Sequence, residues 1–143
     1  MSESDRATAT GGCLCGGVRY EVTGPLRPVV ACHCEQCRRQ SGNFVAATAG
    51  KLAGLHILKD EGLTWYRSSD FARRGFCRTC GGNLFWQRDD DDEISITAGT
   101  LDAPTGLKTV MNIGMEFKGD YYDVPADAPQ MDGFEYSTPE PNA

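Results

Sequence analysis

The sequence predicts a mainly β fold built from short strands, and three observations lead to this prediction. Apolar and polar residues alternate with a period of two in several short runs, and 17 glycines and 7 prolines separate those runs. No apolar pattern of helical period extends beyond about two turns. All seven cysteines lie in short clusters, so metal ions are expected to hold the short strands together.

The strands are predicted from alternation and from the glycine and proline residues that end it. The run Val-Arg-Tyr-Glu-Val at 18–22 predicts a strand that ends at Gly24-Pro25. Further strands are expected at 44–48, 62–67, 83–87, 93–97 and 109–113, with a short apolar run at 29–31. Residues 34–40 predict one or two helical turns that stop at Ser41-Gly42. The acidic run 89–93 predicts a solvated hairpin turn.

The size and composition indicate one domain with an aromatic core. A chain of 143 residues is too short for two good cores. Residues 1–10 are small and polar, and we expect them to form a disordered tail. The aromatic side chains expected in the core are Trp65, Tyr66, Phe76, Phe85 and Trp86.

The charge balance and the hydropathy of the sequence argue against nucleic-acid and membrane partners. The chain has 14 basic and 20 acidic residues, and non-specific nucleic-acid binding depends on Lys and Arg that neutralise phosphates. No stretch approaches the roughly 18 apolar residues of a membrane span. The start, MSESDRATAT, lacks the apolar core of a signal peptide. We therefore expect a cytoplasmic protein with neither a nucleic-acid nor a membrane partner.

The cysteine spacing predicts two metal sites. The clusters are C-L-C at 13–15, C-H-C-E-Q-C at 32–37 and C-R-T-C at 77–80, and seven thiols divide naturally into four plus three. Structural zinc sites have four protein ligands, whereas catalytic sites keep one position open. The pair Cys77 and Cys80 and the pair Cys13 and Cys15, each followed by two glycines, are expected to form the closed site. The open site is expected to contain Cys32, Cys34 and Cys37.

Three other interpretations fit the cysteine spacing less well. An iron–sulfur cluster is disfavoured because the spacings do not match those of ferredoxins. A redox dithiol at Cys77 and Cys80 would need a βαβ context, and the flanking sequence predicts strands. A different grouping, in which Cys13 and Cys15 join the middle cluster, would leave Cys77 and Cys80 short of ligands.

Four motifs resemble one known family in order and spacing. They are GGCLCGGVRY at 11–20, ACHCEQCRRQSG at 31–42, RGFCRTCGGNLFW at 74–86 and PQMDG at 129–133. With these motifs the sequence resembles the glutathione-dependent formaldehyde-activating enzymes, which share their domain with centromere protein V. The resemblance implies an Mss4-like fold of short coiled β-sheets over residues 11–134, followed by an irregular tail at 135–143.

The resemblance also implies two zinc ions per chain and an activity. A structural zinc would be held by Cys13, Cys15, Cys77 and Cys80, and a catalytic zinc by Cys32, Cys34 and Cys37. The family joins glutathione and formaldehyde into S-hydroxymethylglutathione, or catalyses the reverse reaction. The resemblance therefore implies that this protein is a zinc-dependent carbon–sulfur lyase or synthase that acts on a small thiol or thiol adduct. The family often has a His before its late apolar strand, where this chain has Asn112.

Polar residues around the middle cluster are candidates for substrate binding. Arg38, Arg39, Gln40 and Ser41 follow it directly, and a basic pair suits a carboxylate such as that of glutathione, although a solvated turn is the alternative. The same two interpretations apply to Arg73 and Arg74. His33 is either a catalytic or ligating group or a packing residue. Two rival functions remain, a non-catalytic zinc module for interactions and a thiol-based or metal sensor.

Overall fold

The computed structural model describes residues 7–136, and within that range the chain forms ten strands and one α-helix. The strands are β1 Ala7–Gly12, β2 Val18–Thr23, β3 Val29–Cys32, β4 Val45–Lys51, β5 Leu55–Asp60, β6 Leu63–Arg67, β7 Ala72–Cys77, β8 Asn83–Arg88, β9 Glu93–Thr97 and β10 Thr109–Ile113, and the helix is α1 Glu35–Ser41. Short 3₁₀ turns cover Leu52–Gly54, Ala98–Thr100 and Met115–Phe117. None of the helices in this range is long and apolar enough to cross a bilayer.

The strands described by the structure form two sheets. A three-stranded sheet has the order β1-β2-β5, and a seven-stranded sheet has the order β10-β3-β4-β9-β8-β7-β6. Neighbouring strands are antiparallel except β10 and β3, which are parallel. In the register of that parallel pair, Ile113 lies opposite Cys32. The long connection from β9 to β10 therefore returns the chain to the edge where the middle cysteine cluster lies.

The core lies between the two sheets. Alternation on β2 buries Val18, Tyr20 and Val22 on one face, as a period-two strand requires. Tyr20 meets Phe85 edge-on, with 5.3 Å between ring centroids, and its hydroxyl lies 2.7 Å from Thr100 Oγ1. Burial raises the pKa of Tyr20 to about 12. The remaining large members of the core are Leu26, Leu84, Ile94, Ile96 and Leu101.

The predicted mainly β fold of short sheets is confirmed, with most strands at the predicted positions. The alternation at 18–22 lies in β2, and the predictions at 93–97 and 109–113 coincide with β9 and β10. Residues 89–92 of the acidic run form the turn between β8 and β9, as predicted, and Glu93 begins β9. Tyr66 is a correction, because its side chain is 62% exposed on the sheet-edge strand β6.

The predicted N-terminal tail is a second correction. β1 begins at Ala7, so residues 7–10 are part of a strand and not of a disordered tail, and they pair with β2 along its length. Residues 1–6 and 137–143 lie outside the described residues. Within the predicted C-terminal tail, the Tyr136 hydroxyl accepts a hydrogen bond from Arg27 Nη1 at 2.8 Å.

A C-terminal segment packs along the end of β10. The backbone N–H of Met131 donates to the carbonyl of Asn112 at 2.8 Å, and that of Gly114 donates to Gly133 at 2.8 Å. These bonds involve the PQMDG motif at 129–133. The motif therefore holds the stretch that follows β10 beside the middle cysteine cluster.

Candidate functional site

Four cysteine sulfurs converge where the two sheets meet. Cys13 and Cys15 lie in the turn after β1, Cys77 ends β7 and Cys80 lies in the turn before β8. Their four Sγ atoms lie within 4.8 Å of one another, and Cys15 Sγ is 3.6 Å from that of Cys13 and 3.8 Å from that of Cys77. Four sulfurs bound tetrahedrally to zinc at about 2.3 Å would lie about 3.8 Å apart. This donor set therefore fits a metal ion of that kind.

The two turns of this cluster use glycines in the same way. Gly16 follows the first pair and Gly81 follows the second, and their φ angles are +78° and +77°, in the left-handed region that favours glycine. Turning the chain there directs backbone N–H groups at the sulfurs. The amides of Cys15 and Gly82 donate to Cys80 and lower the pKa of that thiol to about 6.

Gly62 keeps the cluster clear of side chains. A Cβ at this position would lie 2.8 Å from Cys77 Sγ, which is closer than real Cβ contacts. The sulfur of Cys77 is fully buried against it. A close approach of β6 to the cluster therefore requires glycine here.

The other three cysteines come from a single segment. Cys32 ends β3, Cys34 is the N-cap of α1 and Cys37 lies in its first turn. Cys34 Sγ accepts a hydrogen bond from the backbone N–H of Cys37 at 3.4 Å. Within residues 7–136, no fourth Cys, His, Asp or Glu ligand atom lies within 4.8 Å of all three sulfurs. The thiols thus group into four and three, as the spacing predicts, and both clusters could hold metal ions.

The three thiols share protons when no metal is bound. Cys32 and Cys37 donate hydrogen bonds to Cys34 and lower the pKa of Cys34 to about 2. The contact with Cys34 raises the pKa of Cys32, because its proton is held in that bond. Binding a metal through all three sulfurs would release the protons that remain on the others.

His33 points away from the sulfurs and is buried. Its Nε2 lies 3.0 Å from Asn112 Oδ1, and its Nδ1 lies 2.6 Å from the Tyr122 hydroxyl. Asn112 Nδ2 donates to the carbonyl of Pro129 at 3.2 Å, which makes Oδ1 the acceptor toward His33. His33 Nε2 therefore carries the proton, and Tyr122 donates to Nδ1. With both nitrogens engaged, the contacts favour the packing interpretation of His33.

The two neighbouring arginines of β7 have opposite environments. Arg74 is buried, and its Nη2 lies 3.6 Å from Cys37 Sγ and 3.2 Å from Gln36 Oε1. Arg73 lies on the other face, where its guanidinium stacks over Trp65 at 4.0 Å and donates to Gln87 at 3.0 Å. Only Arg74 of this pair therefore reaches the three-cysteine cluster.

The four residues after Cys37 differ in what they contact. Arg38 and Arg39 lie 3.9 and 3.7 Å from the carboxylate of Glu35. Ser41 Oγ donates to the carbonyl of Cys37 at 2.6 Å. Gln40 Nε2 donates to Asn83 Oδ1 at 2.5 Å. Gln40 is thus the member of this group that joins α1 to the large sheet.

A small surface cleft with a volume of about 20 Å³ lies next to the three-cysteine cluster. Its lining residues are Gln40, Val45, Ala47, Arg74, Asn83, Phe85, Trp86, Ser95 and Thr97. Because Arg74 contacts both this cleft and Cys37, the cleft lies close to the cluster. The volume of the cleft leaves room for about one water molecule, so a larger molecule would bind over the cleft and not within it.

Sequence reasoning missed Tyr122 as a neighbour of His33. The two residues are separated by 89 positions, and Tyr122 follows β10 in an irregular stretch with no spacing pattern. The sequence did draw attention to Asn112, because the family that the sequence resembles often has a His at this position. That position proves to be the hydrogen-bond partner of His33.

Comparison with known proteins places these features in a family. The family model for the glutathione-dependent formaldehyde-activating enzyme matches residues 8–116. An uncharacterized lyase of Schizosaccharomyces pombe is 32% identical over 77 residues, which are 53% of this chain and 55% of the relative, so the match spans about half of that protein. A crystal structure of a Rhodobacter sphaeroides protein is similar, with a TM-score of 0.56 and 32% identity over 66% of this chain and 88% of that one. The chain belongs to the family of glutathione-dependent formaldehyde-activating enzymes.

Proposed function

We propose that the protein is a zinc-dependent carbon–sulfur lyase or synthase that acts on a small thiol adduct such as S-hydroxymethylglutathione. One observation carries the proposal: two clusters of the same donor type differ by one ligand, four sulfurs against three. Four thiolates complete a tetrahedral site, whereas three leave a position for a substrate atom. The family membership and the lyase name of the S. pombe relative support the same class of reaction.

The residues of the three-cysteine cluster would hold the second zinc. Bound there, zinc would supply Lewis acidity and would stabilise a thiolate. Cys34 is held at the N-cap of α1 and Cys37 within its first turn, so the helix fixes the directions of both sulfurs. A reducing compartment such as the cytoplasm would keep all seven thiols available for metal.

The substrate would be bound over the adjoining cleft by side chains of α1. Gln40 lines the cleft, and the pairs that Arg38 and Arg39 form with Glu35 are solvent-exposed. Such surface pairs are weak, so either guanidinium can turn to a substrate carboxylate at little cost. Ser41 would act indirectly, because its hydroxyl holds the carbonyl of Cys37.

One observation favours a different function, a zinc module for protein interaction. Leu14 lies between Cys13 and Cys15 and is 91% exposed, so its side chain is accessible to a partner. In that case both metals would be structural, and the three-cysteine cluster would gain its fourth ligand from a partner. The third possibility, a thiol or metal sensor, would require the three thiols to lose zinc and form a disulfide.

Zinc content and turnover test these functions together. Elemental analysis before and after mild chelation should give two zincs per chain, with one lost while the circular-dichroism spectrum is retained. Cleavage and formation of S-hydroxymethylglutathione, measured against the uncatalysed reaction, should disappear with that zinc and return when it is restored. A single zinc, or two that leave together with unfolding, would favour the interaction module. A disulfide formed after zinc loss, without turnover beforehand, would favour the sensor.

A further inference from the structure

Arg74 is a buried cation without a carboxylate partner among residues 7–136. Its exposed fraction is 7%, and no ion pair of the described residues includes it. Burying a charge costs free energy unless an opposite charge or several hydrogen bonds compensate. The compensation for Arg74 must therefore come from its other neighbours.

Those neighbours lie on one helix. Nη2 lies 3.2 Å from Gln36 Oε1 and 3.6 Å from Cys37 Sγ, and Nη1 lies 3.5 Å from Gln40 Oε1. The two amide oxygens are neutral acceptors, and Cys37 is the only one of the three that can carry a full negative charge. Cys37 is itself buried, with 6% of its surface exposed. Because both side chains are shielded from water, the attraction between the Arg74 guanidinium and a Cys37 thiolate is stronger than it would be at the surface.

We propose that Arg74 is the positioning residue of the three-cysteine cluster, donating to Cys37 Sγ and supplying the positive charge that favours binding of a divalent metal by three thiolates. The inference rests on the proposed function only in that the cluster holds zinc. Three thiolates around a divalent ion carry one net negative charge, and one guanidinium offsets it. The fork of Arg74 also fixes Gln36 and Gln40, so it holds α1 in the orientation that presents Cys37.

The expected effect is a loss of zinc affinity at this cluster. Removing a group that hydrogen-bonds a metal ligand typically costs 10- to 100-fold in metal affinity. We expect a loss of this size for Arg74→Gln and a smaller one for Arg74→Lys, which keeps the charge without the fork. Arg73→Gln is the matched control, because it removes the same charge from the neighbouring residue on the opposite face of β7.

The experiment is a chelator competition on the zinc-loaded full chain. Zinc release should follow two phases, and Cys34→Ser identifies the weaker one because it removes a ligand of the three-cysteine cluster. Arg74→Gln should shift only that phase, and Arg73→Gln should shift neither. Thermal melts of the zinc-loaded variants are recorded in parallel, so that a general loss of folding is recognised.

Three results would overturn the inference. The weaker phase would be unchanged in Arg74→Gln, or both phases would shift together with the melting temperature, as a purely structural role predicts. Equal losses of zinc affinity in Arg74→Lys and Arg74→Gln would show that the positive charge of Arg74 does not favour metal binding. Zinc binding without turnover would instead refute the proposed function and leave the role of Arg74 in place.

Discussion

The two cysteine clusters differ in how much of the chain a bound metal would constrain. In the four-cysteine cluster, Cys15 and Cys77 lie 62 positions apart, so a bound metal would close a long loop and join the two sheets. In the three-cysteine cluster all ligands come from 32–37, so a metal there constrains little of the chain. Closing a long loop removes more entropy from the unfolded chain than closing a short one. The comparison teaches that a metal bound in the four-cysteine cluster would stabilise the fold more than one bound in the three-cysteine cluster.

The largest expected effect is that of Cys77→Ser. The sulfur is fully buried, and its loss would remove the metal that joins β7 to the turn after β1. We expect the free energy of unfolding to fall by more than about 4 kcal/mol, enough to leave much of the chain unfolded at 37 °C. Urea unfolding followed by circular dichroism measures this loss. A urea unfolding curve like that of the wild type would show that the four-cysteine cluster does not hold the sheets together.

Cys34→Ser is the matched substitution in the other cluster. Serine is itself a preferred N-cap, so α1 keeps the hydrogen bond that Cys34 Sγ now accepts from Cys37. We therefore expect one zinc and the catalytic activity to be lost while the melting temperature falls by only a few degrees. If Cys34→Ser and Cys77→Ser destabilise the protein equally, the division of roles between the clusters is wrong.

Tyr122→Phe tests the contacts behind the three-cysteine cluster. The change removes the donor to His33 Nδ1 and leaves a buried acceptor unpaired, which typically costs about 1–3 kcal/mol. Tyr121→Phe is the control, because the hydroxyl of Tyr121 bonds to the Asn43 carbonyl at 3.3 Å on a largely exposed side chain. Chemical unfolding should separate the two variants. Equal stabilities would mean that the contact between Tyr122 and His33 contributes nothing.

The smallest expected effect belongs to Asp102→Asn, next to the three-stranded sheet. Arg19 and Thr10 donate to Asp102 and lower the pKa of its carboxyl from 3.8 to about 2. The folded state thus favours the ionised form, so the contribution is present above pH 4 and is lost as the pH falls toward 2. Between pH 5 and 7, the melting temperature of Asp102→Asn should lie slightly and constantly below that of the wild type. High salt should reduce the difference, and a difference that grows with salt would contradict this account.

The parts of the fold that the sequence predicts are those in which the local pattern and the burial agree. β2 alternates because one of its faces is buried, and the cysteines group by spacing because neighbouring thiols can share a centre. β5 gave no such pattern, since nearly all its side chains are exposed on the edge of the small sheet. β1 consists of small and polar residues that do not distinguish a strand from a tail.

The candidate site was predictable only in the way that its cysteines group. The burial of Arg74 depends on the crossing of β7 with α1, which brings together residues 37 positions apart. Whether Arg73 or Arg74 faces the cluster is decided by the register of β7, and a shift of one residue would exchange them. The partner of His33 is set by the return of the chain after β10, which no local pattern encodes.

The return of the chain after β10 has a consequence for where this domain can be cut. The family match ends at residue 116, and all seven cysteines precede that point. Tyr122 and the 129–133 motif lie beyond it, and they supply the donor to His33 and the bonds along β10. An expressed fragment ending at 116 would therefore keep every cysteine while exposing His33 and the strand beside Cys32 to water. Dissection of the gene at that boundary would yield a protein that retains all seven cysteines without the packing that holds the middle cluster in place.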